Sequence, residues 1–588
     1  MTKIFNDPAE FADEQFAGFL SLYADRLRGV PGGAVALPDA SGPQVAVVIG
    51  GGSGHYPAFC GLVGPGLASG AVVGNIFTSP SAAQVYSVAK AADQGRGVIL
   101  SFGNYAGDTM NFGIAAERLR KEGIDTRIVV VTDDIASAPE EDKRRGIAGD
   151  FTVFKAMGAA AAAGLDLDGV ERIGRAANAA TRTLGVAFSG CTMPGAQGPL
   201  FTVPEGHLGL GLGIHGEPGI RDEALPSAQE LGATLVRSLL KEAPERAGKR
   251  VGVILNGLGT TKYEELFLLW NTVASELASA GLEPVDVEVG ELVTSLDMGG
   301  CSLTLMWLDE ELETYWTADA YTPAYRKQKA ATAGLLSPAE AADQDTAETE
   351  TAPPATAAAR ALGRLVLDGL ATMRRTLHEH EKSLGDIDAV AGDGDHGRGM
   401  VRGIDAALTA ALAAAEAGDA SETRAPGGAW LLHRAGGAWA EQAGGTSGVL
   451  WGAALEGAAA SLTDDRDRYT AADFTAAADA FAGAITDLGR AKPGDKTLVD
   501  ALVPFVDELR AAVGRGTPFA RAWSGAARAA VEAATATAGL RPKLGRARPL
   551  AEKSVGTPDA GATSLALIVT GLCSLNNESH HELQHEGA

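Results

Sequence analysis

The 588-residue chain is 46% hydrophobic, and since a single hydrophobic core stops growing at roughly 250–300 residues, two large domains are expected. With 49 Lys+Arg against 74 Asp+Glu its net charge is -25, a field that repels phosphate backbones and anionic head groups, so nucleic acid and membrane surfaces are excluded as favoured partners. Four cysteines (Cys60, Cys191, Cys301 and Cys573) stand far apart without CxxC spacing, which fits reduced cytosolic thiols better than a disulfide frame or a zinc site.

The opening Met1-Thr2-Lys3-Ile4-Phe5-Asn6-Asp7 lacks the apolar stretch of a signal peptide, and no apolar run reaches the ~20 residues of a membrane span, so a cytoplasmic protein is expected. The first strand-like run, Val45–Ile49, leads directly into Gly50-Gly51-Gly52-Ser53-Gly54-His55. This reads as a glycine loop whose bare backbone can approach an oxygen-rich ligand, or as a tight strand-to-helix turn. Strand Val98–Ser101 ends in Gly103-Asn104-Tyr105-Ala106-Gly107-Asp108, polar groups at the carboxyl edge where open α/β sheets bind ligands. Helix Met110–Glu122, strand Ile128–Thr132 and helix Asp150–Ala163 follow, the pattern of buried parallel strands alternating with helices. A second series has strands Gly185–Ser189, Arg250–Leu255 and Ser302–Leu308 and a long amphipathic helix, Tyr263–Ala280.

Within that series Gly213-Ile214-His215-Gly216-Glu217-Pro218-Gly219 sets one imidazole among small residues and beside a carboxylate. Such a histidine serves as nucleophile, base or ligand. By itself the segment reads equally as a surface turn with an incidental histidine. Residues 1–329 are therefore an α/β domain of two subdomains dividing near residue 185. Residues 330–357, rich in Pro, Thr, Ala and acids, form a linker.

Residues 358–588 carry Ala/Leu-rich stretches at helical spacing, Ala359–Lys382, Gly403–Ala417, Ala471–Leu488 and Pro518–Ala538, so this domain is expected to be all-helical. Its densest chemistry is Asp388-Ala389-Val390-Ala391-Gly392-Asp393-Gly394-Asp395-His396-Gly397. Hard oxygen donors at this density suit Mg²⁺ holding phosphates; a solvated acidic turn is the plainer reading, and the ordered ligand series of an EF-hand is missing. Gly444-Gly445-Thr446-Ser447-Gly448 and Gly494-Asp495-Lys496-Thr497 can hold phosphate, or act as a cap and a turn. Gly545-Arg546-Ala547 and Gly556-Thr557-Pro558-Asp559-Ala560-Gly561-Ala562 add a guanidinium and another turn.

In this order around one linker, GGGSGH, NYAGD, GIHGEPG, GDGDHG, GGTSG and GDKT resemble the dihydroxyacetone kinase family in its single-chain, ATP-dependent form. The resemblance spans nearly the whole chain. It implies a first domain that binds a short ketose and a second, an eight-helix barrel, that carries ATP on Mg²⁺. By position His215 matches the histidine that adds to the substrate carbonyl as a covalent hemiaminal, which fixes a small ketone and rejects glycerol. Asp108 matches the residue that takes the proton from the accepting hydroxyl, and His55 the one that hydrogen-bonds the sugar, with Gly52 and Ser53 lining the pocket. Asp388, Asp393 and Asp395 match the magnesium-binding aspartates. His396, Gly445, Thr446, Ser447, Asp495, Arg546, Asp559 and Gly561 fall near the nucleotide. The resemblance also implies a homodimer through the first domain.

Three positions depart from the family pattern. Tyr56 stands where a glutamate is usual, Gly103 where a lysine is usual, and Asp559-Ala560-Gly561 where Asp-Pro-Gly is common. Tyr56 and Gly103 border the sugar site; loss of the long cation is expected to open volume, and Tyr56 with Phe59 to supply a new wall. GHYPAF with FGNYAGD is similar to the tetrulose branch, which implies phosphorylation of D- or L-erythrulose, with dihydroxyacetone as the alternative. A non-catalytic sugar sensor, a phosphocarrier-dependent kinase and a flavin-nucleotide cyclase side activity are other family outcomes. The intact aspartates argue against the first, domain fusion against the second, and no residue bears on the third.

Overall fold

The computed structural model describes residues 2–38, 42–245, 247–329, 352–417, 425–544 and 551–575. The chain divides into two compact units, Met1–Gln344 and Asp345–Ala588. Of the linker assigned to 330–357, residues 330–351 lie outside the described residues, and the first helix of the second unit starts at Ala357.

In the first unit, strands β1 (Leu27–Val30), β2 (Gly33–Ala36), β3 (Ala46–Ser53), β4 (Gly70–Ile76), β5 (Val98–Gly103) and β6 (Thr126–Val131) form one sheet in the order β1-β2-β4-β3-β5-β6. Its β4-β3-β5-β6 core is parallel, as the apolar runs suggested. A second sheet, in the order β11-β10-β12-β7-β8-β9, holds β7 (Thr181–Ser189), β8 (His207–Leu210), β9 (Arg221–Ala224), β10 (Arg250–Gly257), β11 (Glu283–Gly290) and β12 (Gly299–Trp307). Only its β10–β11 pair is parallel. Burial on both faces produces the same apolar runs in either orientation, so the sequence could not tell them apart.

The helix Gly149–Ala162 is buried along its whole length except Ala162. It packs in one core with Ile99 of the first sheet and with Ile254, Met306 and Trp316 from the second half. Helices Ala82–Ala92 and Ala106–Lys121 cover the other face of the first sheet through Val88, Phe112 and Leu119. Ala228–Lys241 and Tyr263–Ser279 cover the outer face of the second through Leu235 and Val273. Helices therefore flank and separate two sheets whose strand ends carry the loops that matter below.

The glycine segment after Ile49 is not a loop: Gly50, Gly51 and Gly52 continue strand β3 to Ser53, and the turn starts at Gly54, whose φ is +99°. A side chain on Gly52 would begin 2.6 Å from the Thr78 amide, and one on Gly51 2.6 Å from the Phe59 ring. These glycines permit close approach within the sheet and against its face.

Among the described residues the second unit is helical throughout: Ala357–Asp388, His396–Ala417, Gly428–Ala443, Gly445–Leu462, Ala471–Gly489, Val499–Gly514, Phe519–Ala536 and Ala560–Gly571, with a short Ala551–Ser554. Each long helix packs on the next, and the last packs on the first. The closed ring surrounds an apolar cavity of about 700 Å³ lined by Leu362, Trp451, Phe505 and Val569 among others.

Candidate active site

The segment around His215 is a tight turn closed by Gly213 N–H donating to Glu217 O at 3.0 Å and Gly216 N–H to Gly213 O at 3.0 Å. Gly213 leaves no steric gap. A Cβ there would sit 2.1 Å from Glu217 Oε2 and 2.5 Å from Arg145 Nη1, so the missing side chain makes room for an acid and a base. His215 Nδ1 donates to Glu217 Oε1 at 2.9 Å, and the His215 amide donates to Glu217 Oε2 at 3.0 Å. Burial pulls the Glu217 carboxyl upward, but these bonds and the charge of His215 override it and hold it at about 2. Behind Glu217, Arg145 lies 3.7 Å away and is itself held 2.8 Å from buried Asp134.

His55 Nε2 lies 3.0 Å from His215 Nε2, and His55 Nδ1–H donates to the Thr294 carbonyl at 2.7 Å. Burial and the neighbouring His215 push the His55 imidazole down to about 3. Since a carbonyl and a carboxylate take the two Nδ1 protons, one further proton between the Nε2 atoms satisfies both rings, and it leaves a single positive charge opposite Glu217. Phe77 stacks on His55 at 5.0 Å and meets His215 edge-on at 5.1 Å, while Tyr105 meets His215 edge-on at 5.1 Å. The His215 side chain remains 23% exposed.

Asp108 lies in the first turn of helix Ala106–Lys121 and is buried. Burial raises its carboxyl, against the opposing pull of Ser79 and His215. Its Oδ1 is a buried acceptor with no protein partner, as are Ser53 Oγ, Tyr105 Oη and Asp150 Oδ1. Leaving a buried polar group unpaired costs roughly 1–3 kcal/mol. Four such groups, at the end of strand β3 and at the starts of two helices, suit a ligand rich in hydroxyls.

Two sequence expectations need correction here. The Tyr56 ring turns away from the imidazoles, packing edge-on against Phe19 at 6.1 Å and meeting Tyr23 through its hydroxyl; Phe59, not Tyr56, reaches His55, at 6.4 Å. Gly103 is buried and opens no volume of its own, because a Cβ there would meet Gly146 O at 3.0 Å and the Tyr105 ring at 3.2 Å. Glu217, Thr294, Phe77, Tyr105 and Arg145 were not singled out as site residues. Glu217 carried a signal in its place two residues after His215, and Tyr105 in its place within Asn104-Tyr105-Ala106-Gly107-Asp108.

In the second unit Asp388 ends the first helix, and the turn to His396 brings one oxygen each of Asp388, Asp393 and Asp395 within 4.8 Å of one another. Asp388 Oδ2 is buried without a protein partner. Gly397 permits the turn: a Cβ there would lie 2.0 Å from Glu381 O of the first helix. The three carboxylates and the orphaned oxygen fit a hard divalent cation.

His396 Nε2 bonds Ser564 Oγ at 3.0 Å, and Ser564 Oγ donates to Gly561 O at 3.0 Å, which joins His396 to the last helix. Burial lowers the His396 imidazole, against Asp388. Asp559 caps that last helix by accepting from Ala562 N–H at 2.7 Å, and burial pushes its carboxyl up to about 6. The Gly444–Gly448 segment is no loop but a helix start: Gly444 is the N-cap, and Gly445, Thr446 and Ser447 form the exposed first turn of Gly445–Leu462, whose first N–H groups have no intrahelical acceptor. Ala443 O lies 3.6 Å from a Cβ position on Gly399, so this turn starts beside the helix that begins at His396. Asp495 is engaged by Lys492 N–H at 2.9 Å and Lys543 Nζ at 3.2 Å. Neighbouring Lys496 is buried, with its Nζ spent on Ser554 O, Ser554 Oγ and Leu540 O. Arg546 lies outside the described residues. A cavity of about 620 Å³ between the first and last helices and Phe519–Ala536 is lined by Glu379, His380, Gly556, Pro558 and Thr563 among others.

The Dak1 domain model matches residues 17–324 and the DAK2 domain model residues 390–574. A D-erythrulose kinase of Mycolicibacterium smegmatis is 57% identical, over 96% of this chain and 97% of its own. An L-erythrulose kinase of Pectobacterium atrosepticum is 52% identical, over 100% of this chain and 99% of its own. Among solved structures, the dihydroxyacetone kinase of C. freundii in complex with AMP-PNP and Mg²⁺ matches with a TM-score of 0.55 and 27% identity, covering 98% of this chain and 99% of that one.

Proposed function

The chain belongs to the dihydroxyacetone kinase family, and from that premise we propose that it is an ATP-dependent ketose kinase acting on erythrulose, with dihydroxyacetone as the alternative substrate. The observation that carries the reading is His215, held by Glu217 through Nδ1, facing His55 at 3.0 Å, with Asp108, whose Oδ1 has no protein partner, interacting with it. The erythrulose kinases at 57% and 52% identity support the tetrulose.

His215 Nε2 bonds the ketose carbonyl carbon. The carbonyl π pair moves to oxygen, and that oxygen takes the proton shared by the two imidazoles. The positive charge then rests on the alkylated His215 ring, still opposite Glu217, so capture proceeds with no change in net charge. Glu217 keeps Nδ1 protonated and aims Nε2 at the substrate. His55, neutral and anchored on Thr294, orients the new hydroxyl. The anchored ketose presents a terminal hydroxyl to Asp108, whose free Oδ1 accepts its proton as the oxygen bonds the terminal phosphorus of ATP, the bond from that phosphorus to the bridging oxygen breaks and ADP leaves.

Asp388, Asp393 and Asp395 would hold Mg²⁺, which when bound neutralises the triphosphate. The first turn of Gly445–Leu462 offers N–H groups to phosphate, and the 620 Å³ cavity is of a size to take the adenosine. A homodimer working in the cytoplasm belongs to the same reading; family resemblance supports the dimer, and four free cysteines support a reducing compartment.

The test is ADP release from ATP and Mg²⁺ with dihydroxyacetone, D-erythrulose, L-erythrulose and glycerol offered separately. Turnover is expected with an erythrulose and none with glycerol. Silence with every ketose refutes the kinase reading.

A further inference from the structure

Three of the unpartnered buried groups have no task in the capture and transfer steps, Ser53 Oγ, Tyr105 Oη and Asp150 Oδ1, and of these Tyr105 and Asp150 interact with one another. Asp150 is 4% exposed, in the first turn of the helix buried between the sheets. Burial, with Asp133 and Asp108 close by, raises its carboxyl, and its unpartnered oxygen can bond a hydroxyl.

Two glycines pack beside these groups. A Cβ on Gly146 would lie 2.9 Å from Asp150 Oδ1 and 2.5 Å from the Cα of Gly103. A Cβ on Gly103 would lie 3.2 Å from the Tyr105 ring. Gly103 and Gly146 are thus in contact, with the Tyr105 ring against the one and Asp150 Oδ1 against the other, and the Tyr105 ring meets the reactive imidazole edge-on at 5.1 Å. Neither group has another acceptor or donor in the protein, and a carbon chain fixed on His215 has to extend somewhere nearby. A four-carbon ketose carries one CHOH more than dihydroxyacetone.

We propose that Tyr105 and Asp150 hold the hydroxyl that a tetrulose has and dihydroxyacetone lacks, which makes them the residues that select chain length. The proposal rests on the ketose-kinase reading. It moves the choice of substrate from Tyr56, which faces away, and from Gly103, which is packed against Gly146, to the Tyr105 hydroxyl and to Asp150 in the first turn of the buried helix.

The experiment compares kcat/KM for the preferred erythrulose and for dihydroxyacetone in the wild type, Tyr105→Phe and Asp150→Val, with thermal melting as the check on folding. Asp150→Val removes a buried unpaired acid and is expected to fold. The erythrulose-to-dihydroxyacetone ratio of kcat/KM should fall about tenfold or more in each variant, mainly through KM on erythrulose. A parallel loss on both ketoses, or an unchanged ratio, overturns the subsite and leaves the kinase reading standing. A wild type that phosphorylates dihydroxyacetone and refuses both erythruloses overturns the tetrulose reading and the subsite together. If Asp150→Val melts early, Tyr105→Phe, which removes only a hydroxyl, decides.

Discussion

Replacing Glu217 by Gln tests the ketose-capture step most directly, because it removes one charge and keeps the shape. A glutamate carboxyl ordinarily titrates near 4.5, and Glu217 is held at about 2 despite its burial. That gap is a factor of about 300 in proton affinity, or about 3 kcal/mol, and it is the net preference of the site for the ionised carboxylate, the hydrogen bonds and the charge of the His215 ring set against burial. The same charge faces the cationic adduct, so Glu217→Gln should weaken ketose capture by roughly two orders of magnitude. Because the folded pKa is depressed, the contribution is fully present above about 4.5 and is lost only as pH falls through about 2. The defect should therefore be flat from pH 6 to 9. Titration calorimetry with erythrulose and no ATP measures it. A dissociation constant within threefold of wild type would show that Glu217 neither orients nor stabilises the ring.

Other outcomes follow from the same structure. Asp393→Asn should abolish ATP-dependent transfer while ketose binding by calorimetry persists, and chelation of Mg²⁺ should reproduce it; full activity in either condition contradicts the aspartate site. Gly397→Ala places a methyl 2.0 Å from the Glu381 carbonyl, a backbone clash expected to cost several kcal/mol and to lower the melting temperature of the second unit; an unchanged melt by calorimetry would reject that close approach. Lys155 is buried with one hydrogen bond, to Tyr315 O at 2.9 Å, and burial lowers its ammonium from 10.5 to about 7. The folded state then binds fewer protons than the unfolded one across that window, so wild-type stability should rise from pH 7 to 10. Lys155→Met should flatten this rise in melts taken across the range, and a variant with the wild-type slope refutes the assignment.

Much of the fold was legible because burial leaves a local mark. Runs such as Val98–Leu100 and the Ala/Leu spacing of Ala359–Lys382 announce buried strands and packed helices wherever they end up. Gly70–Ile76 went unnoticed, since seven residues with two glycines carry little periodicity, whereas Leu167–Ala180 was passed over although Leu167, Val170, Ile173 and Ala177 recur at helical spacing. Strand direction in the second sheet was likewise silent, because pairing lies between segments that the chain order does not bring together.

The site divides along the same line. Motif order around the linker was enough to identify the family, and through that resemblance it pointed to His215, His55, Asp108 and the three aspartates, which sit at fixed offsets from glycines. What each side chain faces was decided by tertiary structure. His55 and His215 are 160 residues apart and meet at 3.0 Å; Thr294 fixes the tautomer of one, and Arg145 stands behind the partner of the other. Tyr56 turned to Phe19, and Gly103 filled against Gly146, because packing places each side chain by its neighbours in space. Composition and spacing settle which chemistry this chain can do; only packing decides which atoms are left without a partner to do it.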